Sequence, residues 1–268
     1  MSIPIIDPHM HMVSRSINDY ERARLAGIEC CIEPAFWSGT DKQHAESFFD
    51  YFERIIGFET NRAERAAGID HYATIGLEPK EANYPEMAQR VLDELPEYLE
   101  RENVVGLGEI GFDQATDEEE YAFREQLRMA EERELPVIVH TPHTNKPEGT
   151  ERLVEIIRDE GVTQERIVID HNTENTIEIS SQTDCWIGFT LYPGKITDET
   201  AIDILEEYGT DKMLLNSSVD WDPSDPLAVP KARDKMLDRG WDREAVKKVV
   251  FDNPYEFFDQ SPNFTHEA

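Results

Sequence analysis

The 268-residue chain has few cysteines, few basic residues and no long apolar run. Its three cysteines, Cys30, Cys31 and Cys185, lie in apolar, strand-like segments without the paired spacing of a zinc site or a disulfide framework. We therefore expect reduced thiols in the core and a cytoplasmic location. Residues 3–6 (IPII) follow the first two residues without a basic leader, so we expect neither a signal peptide nor a membrane span.

Basic residues are scarce relative to acidic ones. The chain has 26 Lys plus Arg against 57 Asp plus Glu, for a formal net charge of −31. Such a surface repels polyanions, which argues against a basic nucleic-acid-binding face and leaves nucleic acid only as a substrate. Salt relieves the self-repulsion, because the Debye length falls to about 3 Å at 1 M. We interpret the charge as adaptation to the cytoplasm of a halophilic archaeon; an ordinary acidic enzyme is the alternative.

No linker rich in Pro, Gly or Ser divides the chain, so we expect one domain over residues 1–268, with 259–268 as a flexible tail. Short apolar runs recur roughly every thirty residues, and a polar segment with helical periodicity follows each one. The eight runs are residues 3–7, 27–34, 70–79, 103–111, 135–140, 166–171, 184–190 and 211–218. Strands that alternate with helices pair in parallel, and eight such units favour a (β/α)8 TIM barrel over an open doubly wound sheet.

Several local signals mark helix ends between these runs. Thr116 and Glu119 have the spacing of a capping box, while Gly161 and Gly209 follow segments with helical periodicity. Residues 38–60, which are rich in aromatics, are expected to form a long loop that contributes to the wall of a pocket.

Polar side chains follow the apolar runs at the point where each predicted strand ends. In a parallel barrel these ends meet at one mouth, where catalytic sites are built. In residues 5–12 (IIDPHMHM) the period of two directs His9 and His11 the same way, about 6.6 Å apart along the strand, so both imidazoles can bind one cation. Four histidines and two carboxylates from five strands are expected at this rim: His9, His11, Glu109, His140, His171 and Asp220. We expect structural or solvated roles for His44, His71 and His266.

The motifs DPHMHM, VVGLGEIGFD, LPVIVH and FDNPYEFF resemble those of the TatD family of metal-dependent hydrolases, in order over nearly the whole chain. The resemblance implies a (β/α)8 barrel with two divalent metal ions and phosphoester-hydrolysing activity. It further implies that His9, His11 and Asp220 hold one metal, that His140 and His171 hold the other, and that Glu109 bridges them. Asp220 would orient the attacking water and take its proton, so Asp220 and Glu109 are the catalytic candidates. Such ligands suit zinc, manganese, nickel, iron or magnesium.

The chain departs from the family pattern on the loops that follow three strands. The family's His-Cys-Phe is here His171-Asn172-Thr173, and its Ser-Arg is replaced by residues 141–146 (TPHTNK). Its Glu-Thr-Asp-x-Pro is replaced by residues 217–221 (SSVDW). These loops contact the substrate, so the deoxyribonuclease activity of the family stays open for this chain.

Four residues on these loops are candidate substrate contacts. His143 and Lys146 are candidates to replace the missing arginine as a contact for phosphate or carboxylate, and capping of the next helix is the alternative. Trp221 is a candidate to stack on a substrate ring, and a packed aromatic at the rim is the alternative. Asn172, beside His171, is the fourth.

These observations favour a binuclear metal-dependent hydrolase acting on a small phosphoester or nucleotide-like substrate. An amide, lactone or deaminase-type hydrolase on the same barrel is the first alternative. A three-metal phosphoesterase also begins with His-x-His, but it needs a further Asp-x-His near the C-terminus, which this chain lacks. A non-catalytic, metal-free binding or scaffold protein is the last alternative, and the full set of six candidate ligands argues against it.

Overall fold

The computed structural model describes residues 3–267, which form a barrel of eight parallel strands. Each strand pairs in parallel with the next, in the order β1 to β8. Backbone hydrogen bonds from Ser218 N to His9 O (2.8 Å) and from His11 N to Val219 O (2.8 Å) connect the ends of β8 and β1. The strands are Ile5–Asp7, Ile28–Pro34, Asp70–Ile75, Val104–Gly111, Val137–His140, Ile167–Asp170, Trp186–Thr190 and Met213–Asn216. The predicted (β/α)8 barrel is therefore confirmed.

Helices connect the strands and cover the outside of the barrel. At the start of α6 (Asp117–Arg133), Thr116 accepts a hydrogen bond from Glu119 N. The Glu119 carboxylate accepts from the backbone of residues 113–115 and therefore does not complete a capping box. Gly161 follows α7 (Lys146–Glu160) and Gly209 follows α9 (Asp198–Tyr208), as predicted. The helices α1 to α12 are Ile17–Leu25, Ala45–Glu53, Thr60–Ala67, Pro79–Ala82, Pro85–Leu99, Asp117–Arg133, Lys146–Glu160, Ile177–Ser180, Asp198–Tyr208, Ala228–Asp238, Arg243–Lys247 and Asn253–Phe258.

The long loop predicted over residues 38–60 is largely helical, so that expectation is wrong. Helix α2, a π-helical segment (Arg54–Glu59) and α3 follow one another without a break. Phe48, Phe52 and Ile55 recur at helical spacing and are buried in the core between helices and strands, which is why the aromatics do not form a pocket wall. The short remaining loop is held by the buried Lys42, whose Nζ lies 3.0 Å from Glu81 Oε2.

Apolar side chains fill the inside of the barrel, and phenylalanines of the C-terminal segment form a plug at its lower end. Inward-facing side chains from all eight strands form one cluster with four phenylalanines of the C-terminal segment: Phe251, Phe257, Phe258 and Phe264. Asn253 donates to Met213 O and Asn263 to Val104 O, both at the beginnings of strands. The plug therefore lies at the N-terminal end of the barrel and leaves the opposite mouth for a site. The three cysteines are free and buried, as expected.

The last described residues pack against the barrel, in contrast to the flexible tail expected for 259–268. Phe264 and His266 are buried, and His266 Nδ1 lies 2.6 Å from Asp70 Oδ2. His71, at the beginning of β3, is buried with its Nε2 2.7 Å from Glu33 Oε2. Both histidines thus have structural partners away from the C-terminal mouth. Among residues 3–267, no helix is long and apolar enough to cross a membrane.

Ion pairs use many of the basic side chains on the helical surface. Glu160, for example, accepts from Arg124 and Arg128 at 2.7 Å each. Acidic residues nevertheless exceed basic ones by 57 − 26 = 31. The folded chain therefore holds a large excess of negative charge that salt can screen.

We predict that the thermal unfolding midpoint rises by roughly 5 °C between 0.1 M and 1 M KCl, as the Debye length falls from about 10 Å to about 3 Å. The midpoint is measured by circular dichroism, with an uncharged osmolyte as the control for general solvent effects. A midpoint that is unchanged or lower in salt would contradict this account of the surface charge.

Candidate metal centre

Four imidazoles surround the carboxylate of Glu109 at the C-terminal mouth of the barrel. Glu109 Oε1 lies 3.0 Å from His171 Nε2 and 3.4 Å from His9 Nε2, while its Oε2 lies 3.7 Å from His11 Nε2. His9 Nε2 and His11 Nε2 are 3.0 Å apart, and the His140 ring centroid is 4.8 Å from that of His171. Residues near the C-terminal ends of β1, β4, β5 and β6 thus converge in space.

The potential ligand atoms form two groups that share Glu109. One group is His9, His11 and Glu109, and the other is Glu109, His140 and His171; within each group the atoms lie within 4.8 Å of one another. A third group, His9, Asp170 and His171, shares one histidine with each of the first two groups. Imidazole nitrogens and a carboxylate at this spacing suit divalent cations.

A buried chain of hydrogen bonds sets the orientation of the His171 ring. Asp170 Oδ1 accepts from Asn216 Nδ2 (2.9 Å), so the Asn216 oxygen is free to accept from the Thr190 hydroxyl (2.9 Å). With its only proton donated to Asn216, Thr190 Oγ1 can accept from His171 Nδ1, 2.6 Å away. His171 Nδ1 thus faces Thr190, and its Nε2 faces Glu109 and the cleft.

His9 and His140 are oriented by the same principle. His9 Nδ1 donates to Asp170 Oδ2 (2.7 Å), and His140 Nδ1 donates to the backbone oxygen of Phe112 (2.9 Å). In both rings Nδ1 is held as a donor, and Nε2 faces the centre. His11 differs, since its buried Nδ1 has no partner and its ring stacks on Phe36 with a centroid distance of 3.6 Å. Three Nε2 atoms directed toward one carboxylate form a donor set that suits a cation when these nitrogens are deprotonated.

Charge within the cluster lies on the carboxylates of Glu109 and Asp170 and on the imidazole of His9. Burial alone would raise the pKa of Glu109, but the imidazoles of His9 and His171 hold it well below its usual range. Burial alone would lower the pKa of His9, but the carboxylates of Glu109 and Asp170 raise it to about 9. Burial lowers the pKa of His140 to about 3, so this ring is a neutral donor at neutral pH.

Asp220 lies at the edge of the same cleft, on the segment after β8. Its Oδ1 accepts hydrogen bonds from the Tyr192 hydroxyl and from Asp222 N, each at 2.8 Å. Arg15 donates to the Asp220 backbone oxygen at 2.8 Å and so fixes this segment against the loop after β1. Asp220 is thus held at the mouth, although it belongs to none of the three groups of potential ligands found among residues 3–267.

The centre opens into a cleft of about 270 Å³. Phe36, Trp37 and Trp221 line one side. Trp221 is 42% exposed, and its ring stacks on Phe36 with a centroid distance of 4.9 Å. One side of the opening is therefore an aromatic surface, on which a planar group can stack.

Of the four predicted substrate contacts, two line the cleft and two do not. His143 and Trp221 line the cleft. Lys146 Nζ instead donates to Thr141 Oγ1 (2.6 Å) and to Thr141 O (3.3 Å), behind the β5 end. Asn172 is buried, donates to Ile169 O and accepts from Ser180, so its amide supports the fold and is not part of the cleft lining.

Sequence reasoning missed the residues that support the candidate ligands. Asp170, Thr190 and Asn216 are the last residues of β6, β7 and β8, so the search for polar residues at strand ends could have identified all three. It also missed Lys195, which follows β7 and whose Nζ lies 3.2 Å from His171 Nδ1. A lysine after a Pro-Gly turn gives no comparable signal in the sequence.

Comparisons with known proteins agree with this arrangement. Residues 6–259 match the family model described as TatD related DNase. The chain is 32% identical over 255 residues to an uncharacterized metal-dependent hydrolase of Methanocaldococcus jannaschii, covering 95% of this chain and 99% of that protein. Among solved structures it is similar to the TatD-like protein of Archaeoglobus fulgidus, with 27% identity, a TM-score of 0.79 and coverage of 95% and 99%.

A more distant likeness supports the fold alone. The phosphotriesterase homology protein of Escherichia coli superposes with a TM-score of 0.69 at 15% identity, covering 96% of this chain and 99% of that one.

We predict that Gly188→Ala disturbs the centre, because a Cβ at this position in β7 would lie 2.2 Å from Asp170 Oδ1. Displacement of Asp170 would release the His9 ring, and overpacking would lower the free energy of unfolding by about 1–3 kcal/mol. Mn²⁺ affinity, measured by isothermal titration calorimetry, should fall by about tenfold or more.

Gly57→Ala is the matched control, since a Cβ there meets no atom within 4 Å. It should leave Mn²⁺ affinity unchanged. Wild-type Mn²⁺ affinity in Gly188→Ala would show that the position of Asp170 does not determine the centre.

Proposed function

Because the chain belongs to the TatD family of metal-dependent hydrolases, we propose that it uses two divalent cations to hydrolyse a small phosphoester, such as a nucleotide-like ester. The observation that carries this proposal is the position of Glu109 between two groups of imidazoles, His9 with His11 and His140 with His171. A carboxylate has two oxygens, so Glu109 can serve both groups at once. A centre for one cation would not need the second group.

The donor chemistry fits the two cations. His9, His140 and His171 each direct Nε2 toward the centre because a hydrogen-bond partner engages Nδ1. In the proposed arrangement His9, His11 and Asp220 hold one cation, His140 and His171 hold the other, and Glu109 bridges them. The pair would polarise the phosphoryl group and lower the pKa of the attacking water.

Asp220 lines the cleft, and hydrogen bonds hold its carboxylate in a position that suits a proton acceptor. Tyr192 and the backbone of Asp222 both donate to Oδ1, so Oδ2 would remain available to accept a proton. Arg15 restrains the backbone, so that the carboxylate holds its orientation. In the proposed mechanism Asp220 orients the attacking water and takes its proton.

The cleft favours a small substrate with a flat group. A cleft of about 270 Å³ is smaller than typical drug-sized pockets of roughly 300–1,000 Å³. Trp221 exposes part of its ring beside the candidate ligands and can stack on a base or an aryl group. A formal charge of −31 disfavours a long polyanion, whereas a single phosphate group can still be attracted by the local cations.

We predict about two divalent ions per chain in the wild type, by analogy with two-metal sites. His140→Ala removes one neutral donor, so it should bind fewer ions and lose hydrolysis of phosphodiesters. Bound Mn²⁺ is counted by elemental analysis after dialysis, and phosphodiester and lactone substrates are assayed side by side.

His44→Ala is the control, because His44 is an exposed residue before α2. It should match the wild type in metal content and rate. Wild-type metal content in His140→Ala would remove His140 from the centre, and turnover of lactones alone would replace the phosphoester proposal with a lactonase.

We predict that Trp221→Ala raises KM about tenfold for nucleoside and aryl phosphoesters, since stacking on an aromatic ring contributes roughly 1 kcal/mol or more. KM for an alkyl phosphoester should change less than threefold, because that substrate has no ring to stack. Steady-state kinetics on both substrates test this. Equal changes in KM for the two would identify Trp221 as a packing residue.

A further inference from the structure

A tight turn after β7 fixes the origin of the Lys195 side chain. Residues 192–195 (YPGK) close with a hydrogen bond from Lys195 N to Tyr192 O of 2.9 Å. Pro193 occupies the second position and Gly194, with φ +86°, the third, which is the pattern of a type II turn. Such a turn has little freedom, so Lys195 leaves the backbone at a defined point beside the centre.

The ammonium of Lys195 lies directly against a candidate metal ligand. Its Nζ is 3.2 Å from His171 Nδ1 and 3.5 Å from His171 Nε2, and 5.4 Å from the centroid of the Tyr192 ring. The imidazole ring of His171 is not an anion, so this contact leaves the ammonium without a counter-ion. No carboxylate of residues 3–267 forms an ion pair with Lys195 either.

An ammonium that has no counter-ion in the cleft favours the binding of an anion there. Lys195 lines the same cleft as Glu109, His140 and Trp221. The lysine predicted from the sequence for this task, Lys146, is already engaged by Thr141. An anionic oxygen placed between the proposed cations and Lys195 would contact both kinds of positive charge.

We propose that Lys195 binds the anionic phosphate oxygen of the substrate, and that without substrate its ammonium opposes the binding of a divalent cation at His171. This inference rests on the proposed function. Lys195 then contacts the substrate, while Tyr192, at the other end of the turn, holds Asp220. One turn thus supports both the proton acceptor and the phosphate contact.

The side chain has room to leave His171 when cations bind. Lys195 and Tyr192 also line an adjoining cavity of about 450 Å³ between the loops after β7 and β8. Mutual repulsion between the ammonium and the cations would move Nζ away from the ring. A substrate phosphate would draw it back toward the centre.

The experiment compares Lys195→Met with the wild type in two calorimetric titrations. In the first, Mn²⁺ alone is added to the metal-free protein, and we expect affinity to rise by roughly threefold to tenfold because a like charge is removed. In the second, inorganic phosphate is added to the Mn²⁺-loaded protein, and we expect affinity to fall by about tenfold or more because a charge-assisted contact is lost. A residue with a merely structural role would not shift the two affinities in opposite directions.

Two further variants define the effect. Lys195→Arg keeps the charge, so phosphate affinity should stay within about threefold of the wild type. Lys80→Met removes the same charge from the same cleft, where Lys80 Nζ lies 4.4 Å from the Trp37 ring centroid. It should change both affinities less than about twofold, because its ammonium does not contact the centre.

The outcomes separate this inference from the proposed function. A wild type that binds Mn²⁺ and phosphate, with Lys195→Met matching both affinities, overturns the role of Lys195 alone. A wild type that binds no Mn²⁺ overturns the proposed function as well. Thermal unfolding checks that each variant is folded, and Lys195→Gln takes the place of Lys195→Met if the latter does not fold.

Discussion

The buried carboxylate of Asp170 is the constraint on which the centre depends. Its Oδ2 accepts from His9 Nδ1 at 2.7 Å, and its Oδ1 accepts from His171 N at 2.7 Å and from Asn216 Nδ2 at 2.9 Å. A buried charge is costly unless such bonds satisfy it, so this carboxylate has one stable position. Through it, rings from two strands face Glu109, and Gly188 leaves the space that the carboxylate occupies.

The molecule combines an acidic exterior with a mouth built to hold positive charge. The chain has a net charge of −31, yet four imidazoles and Lys195 meet around Glu109. Field from the surface repels long polyanions, while charges at contact distance attract a single anionic group. This contrast agrees with the small anionic substrate that we propose, as does the cleft volume of about 270 Å³.

The alternation of apolar runs and helical segments was enough to predict eight strands and the barrel, because parallel pairing follows from that order. The same rule brought His9, His11, Glu109, His140 and His171 to one mouth. Prediction from the local sequence pattern was wrong where tertiary contacts determine the conformation of a segment. Residues 45–60 are helical because their aromatic side chains pack in the core, and contacts of Phe264 and His266 hold the tail.

The sequence by itself determined which residues stand at the ends of strands, because side-chain period and strand order are local properties of the chain. Only the tertiary structure decided what those residues touch. Lys146 and Asn172 were equally good candidates by position, but hydrogen bonds within the fold occupy both side chains. Lys195 had no motif, yet the turn after β7 directs its ammonium to His171. Contacts between strands distant in sequence depend on distances of a few ångströms, which spacing along the chain does not encode.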